Sequence, residues 1–391
     1  MTKPILITNL LLLLSPLINA ATLLNTQQAS SLTLYSSGLT TVHEKKWLKI
    51  SSNEHNISYD GLSNSVMPDS INLNLPKELL LNSQHFKPAP KRSSDEAPLE
   101  KTSLLLDVST KKDIQTPLTL SYLLQDISLR VHYRALIEDK ELYLKGFVSI
   151  ENESEQSFLG ANVSLLLGES NRVNHSKPVL MYARSSEALP SPSEQETKEG
   201  YTLYKLKKPL NIPSKSVTQV AFMEPLQTKF QRELVATLSY PLYLQADQEH
   251  KVSQKITLDA LSQTLPRGVL RAFTALDGKE ILLGETEIAQ NSKMQKLSFT
   301  LGYADDISVK EELIEKEQTP EYHRSHVRYS VFNASLKPQE ITLEIPFTKE
   351  KSATIKSELP HRFTKGNFVT FSVLVEAGKT KSFDVHFQSR K

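Results

Sequence analysis

The sequence predicts an all-β protein: two or more antiparallel β-sandwich modules of immunoglobulin-like kind in tandem, with little helix. Three observations predict it. Apolar residues recur with a period of two, as in Ile71-Asn72-Leu73-Asn74-Leu75, which places them on one face of a strand. Short runs of this kind follow one another with turn residues between them, and 20 prolines are scattered along the chain, punctuation that suits strands and opposes helices. Glycine is scarce at 12, so the turns are built mostly from Asn, Asp, Ser and Pro.

Taken in order, Leu32-Thr33-Leu34-Tyr35 opens a strand, and Trp47 to Ile50 and Asn56 to Tyr59 follow, with Gly38, Gly61 and Pro68 in the connections. Residues 76–82 suit one or two helical turns. Phe86 to Thr102 is rich in Pro, Lys, Ser and Glu and reads as a linker, because it carries too few apolar groups to offset the entropy of ordering. Strands resume at Leu104-Leu105-Leu106, Leu118 to Leu124 and Leu129 to Ile137.

A hairpin-like unit comes next: Leu142 to Ile150, polar Glu151 to Gln156 around Asn152, then Ala161 to Leu167. Val327 to Asn333 followed by Ile341 to Ile345 repeats it, a short internal repeat that suggests two related sandwich modules. Residues 185–200 read as a second loop. Tyr201 to Leu206 and Ser216 to Phe222 close the central region, and Asp277-Gly278 between Val269–Ala275 and Ile281–Leu283 is a tight hairpin signal. Ile307 to Gln318 suits a strand as well as a helix, and Phe368 to Phe387 folds back at Gly378. The expected organisation is 1–20 signal peptide, 21–85 N-terminal β region, 86–102 flexible linker, 103–235 central sandwich and 236–391 C-terminal sandwich.

The first twenty residues read as an export signal: Lys3, a largely apolar stretch from Ile5 to Leu14, Pro16, and small Ala20 at the cut. That stretch is about half the length needed to span a bilayer. No later segment is long and apolar enough to do so, and the predicted location is the periplasm or the exterior after cleavage near Ala20. Cysteine is absent, which excludes disulfides, lipid attachment through Cys, and thiolate chemistry. Stability then rests on apolar burial, at about 25 cal/mol per Å². With 46 Lys+Arg against 44 Asp+Glu, the chain lacks the positive excess that nucleic acid as main partner requires.

Catalytic patterns are missing. Neither Gly-x-Ser-x-Gly nor His-Glu-x-x-His occurs, nor a phosphate loop or dinucleotide fingerprint. His323 and His326 share a face only on a helix, and Val327 to Phe332 reads as a strand. Asp305-Asp306 and Glu151/Glu153/Glu155 read as solvated charge rather than paired carboxylates. Lys45-Lys46 and Lys207-Lys208 are short runs that keep strand edges soluble. Trp47, the single tryptophan, reads as core. Tyr201 and Tyr204 alternate out of a shared platform. No residue is assigned as catalytic, cofactor-binding or metal-binding, and no cofactor is expected.

Several segments in order give a resemblance: Leu32 to Leu39, Tyr59-Asp60-Gly61-Leu62, Met67 to Ile71, Leu120 to Leu123 with Ile127 to Tyr133, Leu144 to Val148, Gly168 to Val173, and Asp277-Gly278 with Leu283-Gly284-Glu285. Together they are similar to an exported bacterial family, mucoidy-inhibitor-A-like, that carries a domain of unknown function. The chain departs from it at Leu129, where relatives usually have Trp, and in the short 76–102 stretch, where many carry a coiled-coil helix pair. The resemblance implies an exported all-β protein and supplies no catalytic residue. The expected role is non-enzymatic binding of an envelope protein or polysaccharide through sandwich surfaces. The alternatives are a hydrolase whose site is assembled from distant strands, and a structural spacer.

Overall fold

The computed structural model describes residues 22–24, 30–52, 55–90, 101–167, 193–198, 201–347, 353–364 and 367–390. The expected signal segment and most of the 185–200 stretch lie outside them. The described residues form β1 (Thr22–Leu24), β2 (Ser31–Tyr35), β3 (Thr40–Ile50), β4 (Asn56–Asp60), β5 (Asn72–Asn74), β6 (Leu80–Lys87), β7 (Ser103–Ser109), β8 (Ile114–Leu124) and β9 (Ile127–Glu138). Next come β10 (Glu141–Asn152), β11 (Phe158–Leu167), β12 (Ser193–Lys198), β13 (Tyr201–Leu206), β14 (Leu210–Ile212), β15 (Ser216–Ala221), β16 (Leu226–Thr237) and β17 (Gln248–Leu258). Last are β18 (Gly268–Leu276), β19 (Lys279–Ile288), β20 (Leu297–Gln318), β21 (Tyr322–Asn333), β22 (Gln339–Pro346), β23 (Thr354–Ser357), β24 (His361–Thr364), β25 (Phe368–Val375) and β26 (Lys379–Arg390). The one helical element among the described residues is a 3₁₀ turn at Pro68–Ser70. The protein is all-β.

The strands divide into two compact units. One holds the described residues of Met1–Leu129, Ser149–Glu187 and Ser193–Gln219, the other those of Arg130–Val148 and Val220–Lys391. The division therefore runs through β9 and β10 rather than through the 86–102 stretch. In the first unit, a nine-stranded sheet ordered β12-β13-β11-β2-β3-β8-β5, with β1 on β3 and β14 on β11, accompanies a three-stranded sheet β4-β7-β6. Alternation decides which side chains are buried: Leu118, Leu120, Tyr122 and Leu124 of β8 are, and so are Leu104, Leu106 and Val108 of β7.

In the second unit, β21 pairs with β26 and β22 with β25. Val327, Tyr329, Val331, Val385 and Phe387 from one pair meet Ile341, Leu343, Ile345, Val369 and Phe371 from the other in one buried cluster. Phe371 and Phe383 touch across it, with ring centroids 5.3 Å apart. This is a sandwich, and each fully buried Leu, Ile, Val or Phe stabilises it by about 1.5–3 kcal/mol.

The internal repeat is visible in the pairing. β10 turns at Asn152 into β11, β14 lies on β11, and β15 lies on β10. Likewise β21 turns at Asn333 into β22, β25 lies on β22, and β26 lies on β21. The Asp277-Gly278 hairpin has φ of +51° and +73° at its two central residues, the pair of positive angles that a type I′ turn needs and that Asp-Gly tolerates.

Four expectations are corrected. Residues 76–82 are not helical: the chain enters β6 at Leu80, where Leu81 opposes Val108 of β7, so cross-strand pairing overrides the local leucine run. Phe86 to Thr102 is not a free linker at its ends. Phe86 belongs to β6, and buried Thr102 and Ala89 are both hydrogen-bonded to Asn64, so the stretch joins two paired neighbours, with 91–100 outside the described residues. Within 185–200, Ser193–Lys198 is a strand paired with β13. The sheets are not purely antiparallel, since β2·β11, β9·β18 and β16·β22 are parallel; strands distant in sequence become neighbours through long crossovers.

Candidate functional site

Three polar constellations stand out, and their accessibility separates them. The first centres on Glu44 in β3. Alternation turns its side chain inward, where the carboxylate accepts from Ser30 Oγ at 3.3 Å, Tyr122 OH at 3.4 Å, Gln156 Nε2 at 3.2 Å and Tyr59 OH. Burial, and then the Glu44 charge, hold the Tyr59 and Tyr122 hydroxyls far above the usual phenol range, so both stay protonated and donate. Lys46 Nζ lies 4.0 Å from the centre of the Tyr59 ring. Tyr59 comes from the three-stranded sheet and Glu44 and Tyr122 from the nine-stranded one, so this cluster fastens two sheets together.

The second centres on Glu311 in β20, fully buried. Its Oε2 lies 2.8 Å from His250 Nε2 and accepts the Ser239 backbone N–H at 3.4 Å. Tyr329 stands opposite it in register, its hydroxyl held well above the phenol range by burial and by the Glu311 charge. Asp247 accepts from Leu313 N–H at 3.3 Å, and Lys316 Nζ donates to Leu244 O at 3.0 Å. These bonds hold the 239–247 segment along β20.

The third is open to solvent: the outward face of β20, β21, β26 and β23. Register builds it in rows. Glu312, Arg328 and Asp384 form one row; Glu315, His326, His386 and Lys356 form the next; Glu317, Arg324 and Gln388 form the third. Arg328 grips Asp384 with two bonds, Nε to Oδ1 at 2.8 Å and Nη2 to Oδ2 at 3.1 Å, the fork geometry of guanidinium on carboxylate. That pairing holds the Asp384 carboxyl below the usual carboxylate range and raises Arg328. The His326 and His386 rings stack with centroids 4.1 Å apart, and His326 Nε2 lies 3.4 Å from Asp384 Oδ2. Ser330 and Ser382 are 2.8 Å apart, Lys310 donates to Glu312 at 2.6 Å, and Arg324 donates to Gln388 at 2.7 Å. A shallow depression of about 600 Å³ opens here, with Arg328, Lys356, Ser382, Asp384 and His386 in its lining.

The residues singled out in the sequence scatter. His323 and His326 lie on a strand and do not converge; His326 finds its partner in His386, from another strand. Asp305, Asp306, Glu153 and Glu155 are exposed. Trp47 is half-buried, opposite Pro117 and Leu24, not a full core residue, because alternation along β3 gives the buried position to Leu48 and places Trp47 on the other face. Tyr204 is buried, while nothing is described of the Tyr201 side chain. Lys45, Lys207 and Lys208 are exposed. Among the described residues, no group of three or more His, Asp or Glu side chains is placed to hold a metal ion. The open face was missed, although Arg324, His326, Arg328 and Ser330 alternate along one strand, as do Asp384, His386 and Gln388 along another. No family model matches this chain, and no curated protein matches it.

Proposed function

We propose that the chain is an exported, non-enzymatic protein of the bacterial envelope that works by binding through the surface of a β-sandwich. One observation carries the reading. Its enclosed carboxylates, Glu44 and Glu311, hold the fold together, whereas its arranged, reachable polar groups lie on an open sheet face around Arg328, Asp384 and His386. A deep cleft in which converging acids and bases meet a substrate is what catalysis asks for; a flat face of fixed donors and acceptors suits recognition. The export reading is supported by the Lys3 to Ala20 pattern.

The test is capture of a partner by the purified full chain from an envelope extract, with a parallel panel of esterase, peptidase and glycosidase substrates. The expected result is a retained envelope component and no turnover. Turnover at a rate proportional to protein, lost on substitution of a single residue, overturns the proposal.

A further inference from the structure

We infer that the outward face of β20, β21, β26 and β23 binds an uncharged glycan, centred on the Arg328–Asp384 pair. This rests on the binding reading above and specifies the ligand. The first ground is charge. Six charged side chains of the face are joined in pairs, Arg328 with Asp384, Lys310 with Glu312 and Arg324 with Glu317, and the other two in its rows, Glu315 and Lys356 on either side of the histidine pair, are opposite in sign. An anionic polymer needs a face of excess positive charge. A face neutralised from within complements a ligand that is polar but uncharged.

The second ground is hydrogen-bond chemistry. A sugar hydroxyl both donates and accepts, so neighbouring hydroxyls are met best by a donor and an acceptor held side by side. The Arg328–Asp384 fork does this. Arg328 spends two of its N–H groups on Asp384 and keeps the others, and the carboxylate keeps lone pairs beyond those that accept from Arg328. The Ser330/Ser382 hydroxyl pair lies in the adjacent row and repeats the arrangement without charge.

The third ground is pre-organisation. Its principal groups are already held by neighbours: Arg328 by Asp384, Arg324 by Gln388 and by the Tyr322 ring 3.9 Å away, His386 by the stacked ring of His326. Little side-chain entropy remains to be lost on binding. His386 is exposed, so its ring offers a flat surface to the C–H face of a pyranose. The shallow depression here is lined mainly by polar side chains, unlike the apolar walls usual in small-ligand sites, as a hydroxyl-rich ligand requires.

The experiment uses the full exported chain on an array of neutral and acidic oligosaccharides, followed by calorimetry with the best neutral ligand. The variants are Arg328→Ala/Asp384→Ala together, His386→Ala alone, and Arg267→Ala/Glu287→Ala as a control, an exposed pair joined at 2.6 Å away from this face, Arg267 just before β18 and Glu287 in β19. Unchanged melting temperature and circular dichroism establish that each variant folds; His386→Ala keeps the test alive if the double variant does not. The expected result is about tenfold or greater weakening in both face variants and none in the control. Affinity should change less than about twofold between about 50 and about 500 mM salt. Binding of acidic glycans alone with a steep salt dependence overturns the inference, as does neutral binding indifferent to the face variants. Capture of an envelope protein without any glycan binding overturns the glycan inference and leaves the binding reading standing; no partner of either kind overturns both.

Discussion

Asn152 and Asn333 perform the same task in two separate sets of strands. Asn152 Nδ2 donates to Gln156 O at 2.8 Å and to Pro213 O at 2.9 Å, while its Oδ1 accepts from Ser154 N–H at 3.0 Å and Ser154 Oγ at 2.6 Å. Asn333 Nδ2 donates to Lys337 O and to Val375 O, both at 2.9 Å, and its Oδ1 accepts from Ser335 N–H at 3.0 Å and Ser335 Oγ at 2.6 Å. Each Asn is buried at the end of a strand. Each ties its own turn, through the residues two and four further on, to the end of a third strand. The spacing Asn-x-Ser matches a glycosylation acceptor, yet here both amides are consumed inside the fold.

Removing either lock takes the Nδ2 donor from a strand-end carbonyl, Pro213 O or Val375 O, and the Oδ1 acceptor from the Ser154 or Ser335 N–H, and each such loss at a buried group costs about 1–3 kcal/mol. Asn152→Ala and Asn333→Ala should each destabilise by about 2–4 kcal/mol, whereas Asn56→Ala, at an exposed site, should stay within about 0.5 kcal/mol. Urea unfolding of the three variants measures this. Equal, small effects at all three positions would remove the structural role assigned to the repeat.

Gly284 is required for a different reason. A Cβ there would overlap the carbonyl oxygen of Leu301 in β20, whereas the nearest atom to a Cβ at Gly302 is Leu283 O, 3.9 Å away. Gly284→Ala must push β19 off β20 and should cost about 1–3 kcal/mol. Gly302→Ala should cost less than about 0.5 kcal/mol. Thermal denaturation of the pair checks the order; a reversed order contradicts the close approach of the two strands.

The strands were legible because each buries one face, so the alternation in β8, β10 and β21 is written into the chain residue by residue. The Asn-centred repeat was legible for the same reason, since its partners at the second and fourth positions are local. Partners set by register between distant strands were not. Nothing near His326 announces His386, and nothing near Arg328 announces Asp384; both pairings follow from how β21 meets β26. The reading of 76–82 as helical failed because Leu79-Leu80-Leu81 carries no period, and only the partner strand decides its form. Glu44 was passed over because a lone Glu in a strand reads as surface until Tyr59 and Tyr122 are brought to it from other strands.

The Glu44 cluster makes a graded prediction. Glu44→Gln puts an NH₂ group where a carboxylate oxygen accepts, and should cost about 1–3 kcal/mol. Glu44→Ala removes both carboxylate oxygens, takes the acceptor from the buried Tyr59 hydroxyl, leaves Tyr122 and Gln156 with only each other and opens a cavity, and should cost about 3–5 kcal/mol. Tyr59→Phe removes a single donor and should cost about 1 kcal/mol. Denaturant titration ranks the three. A neutral Glu44→Ala would show that the two sheets are held without this network.

His132 gives the pH dependence of the second unit a defined sign. Its ring stacks on Phe147 with centroids 5.6 Å apart, and burial, followed by the positive charge of Arg271, depresses its pKa below 6.5 against a weaker opposing hydrogen bond to the Arg130 carbonyl. The folded protein therefore keeps His132 neutral at a pH where the unfolded chain has begun to protonate it. Because the unfolded chain then binds more protons, stability rises with pH. The contribution is complete above about pH 6.5 and is lost as pH falls below that value toward the depressed one. One proton limits the slope to about 1.4 kcal/mol per pH unit. Unfolding free energies of the native chain and of His132→Gln, measured at half-unit steps from about pH 7.5 to about pH 5, should differ in slope below about pH 6.5, the variant being the flatter. Parallel curves across that window would mean that His132 is as free to take a proton in the folded chain as in the unfolded one.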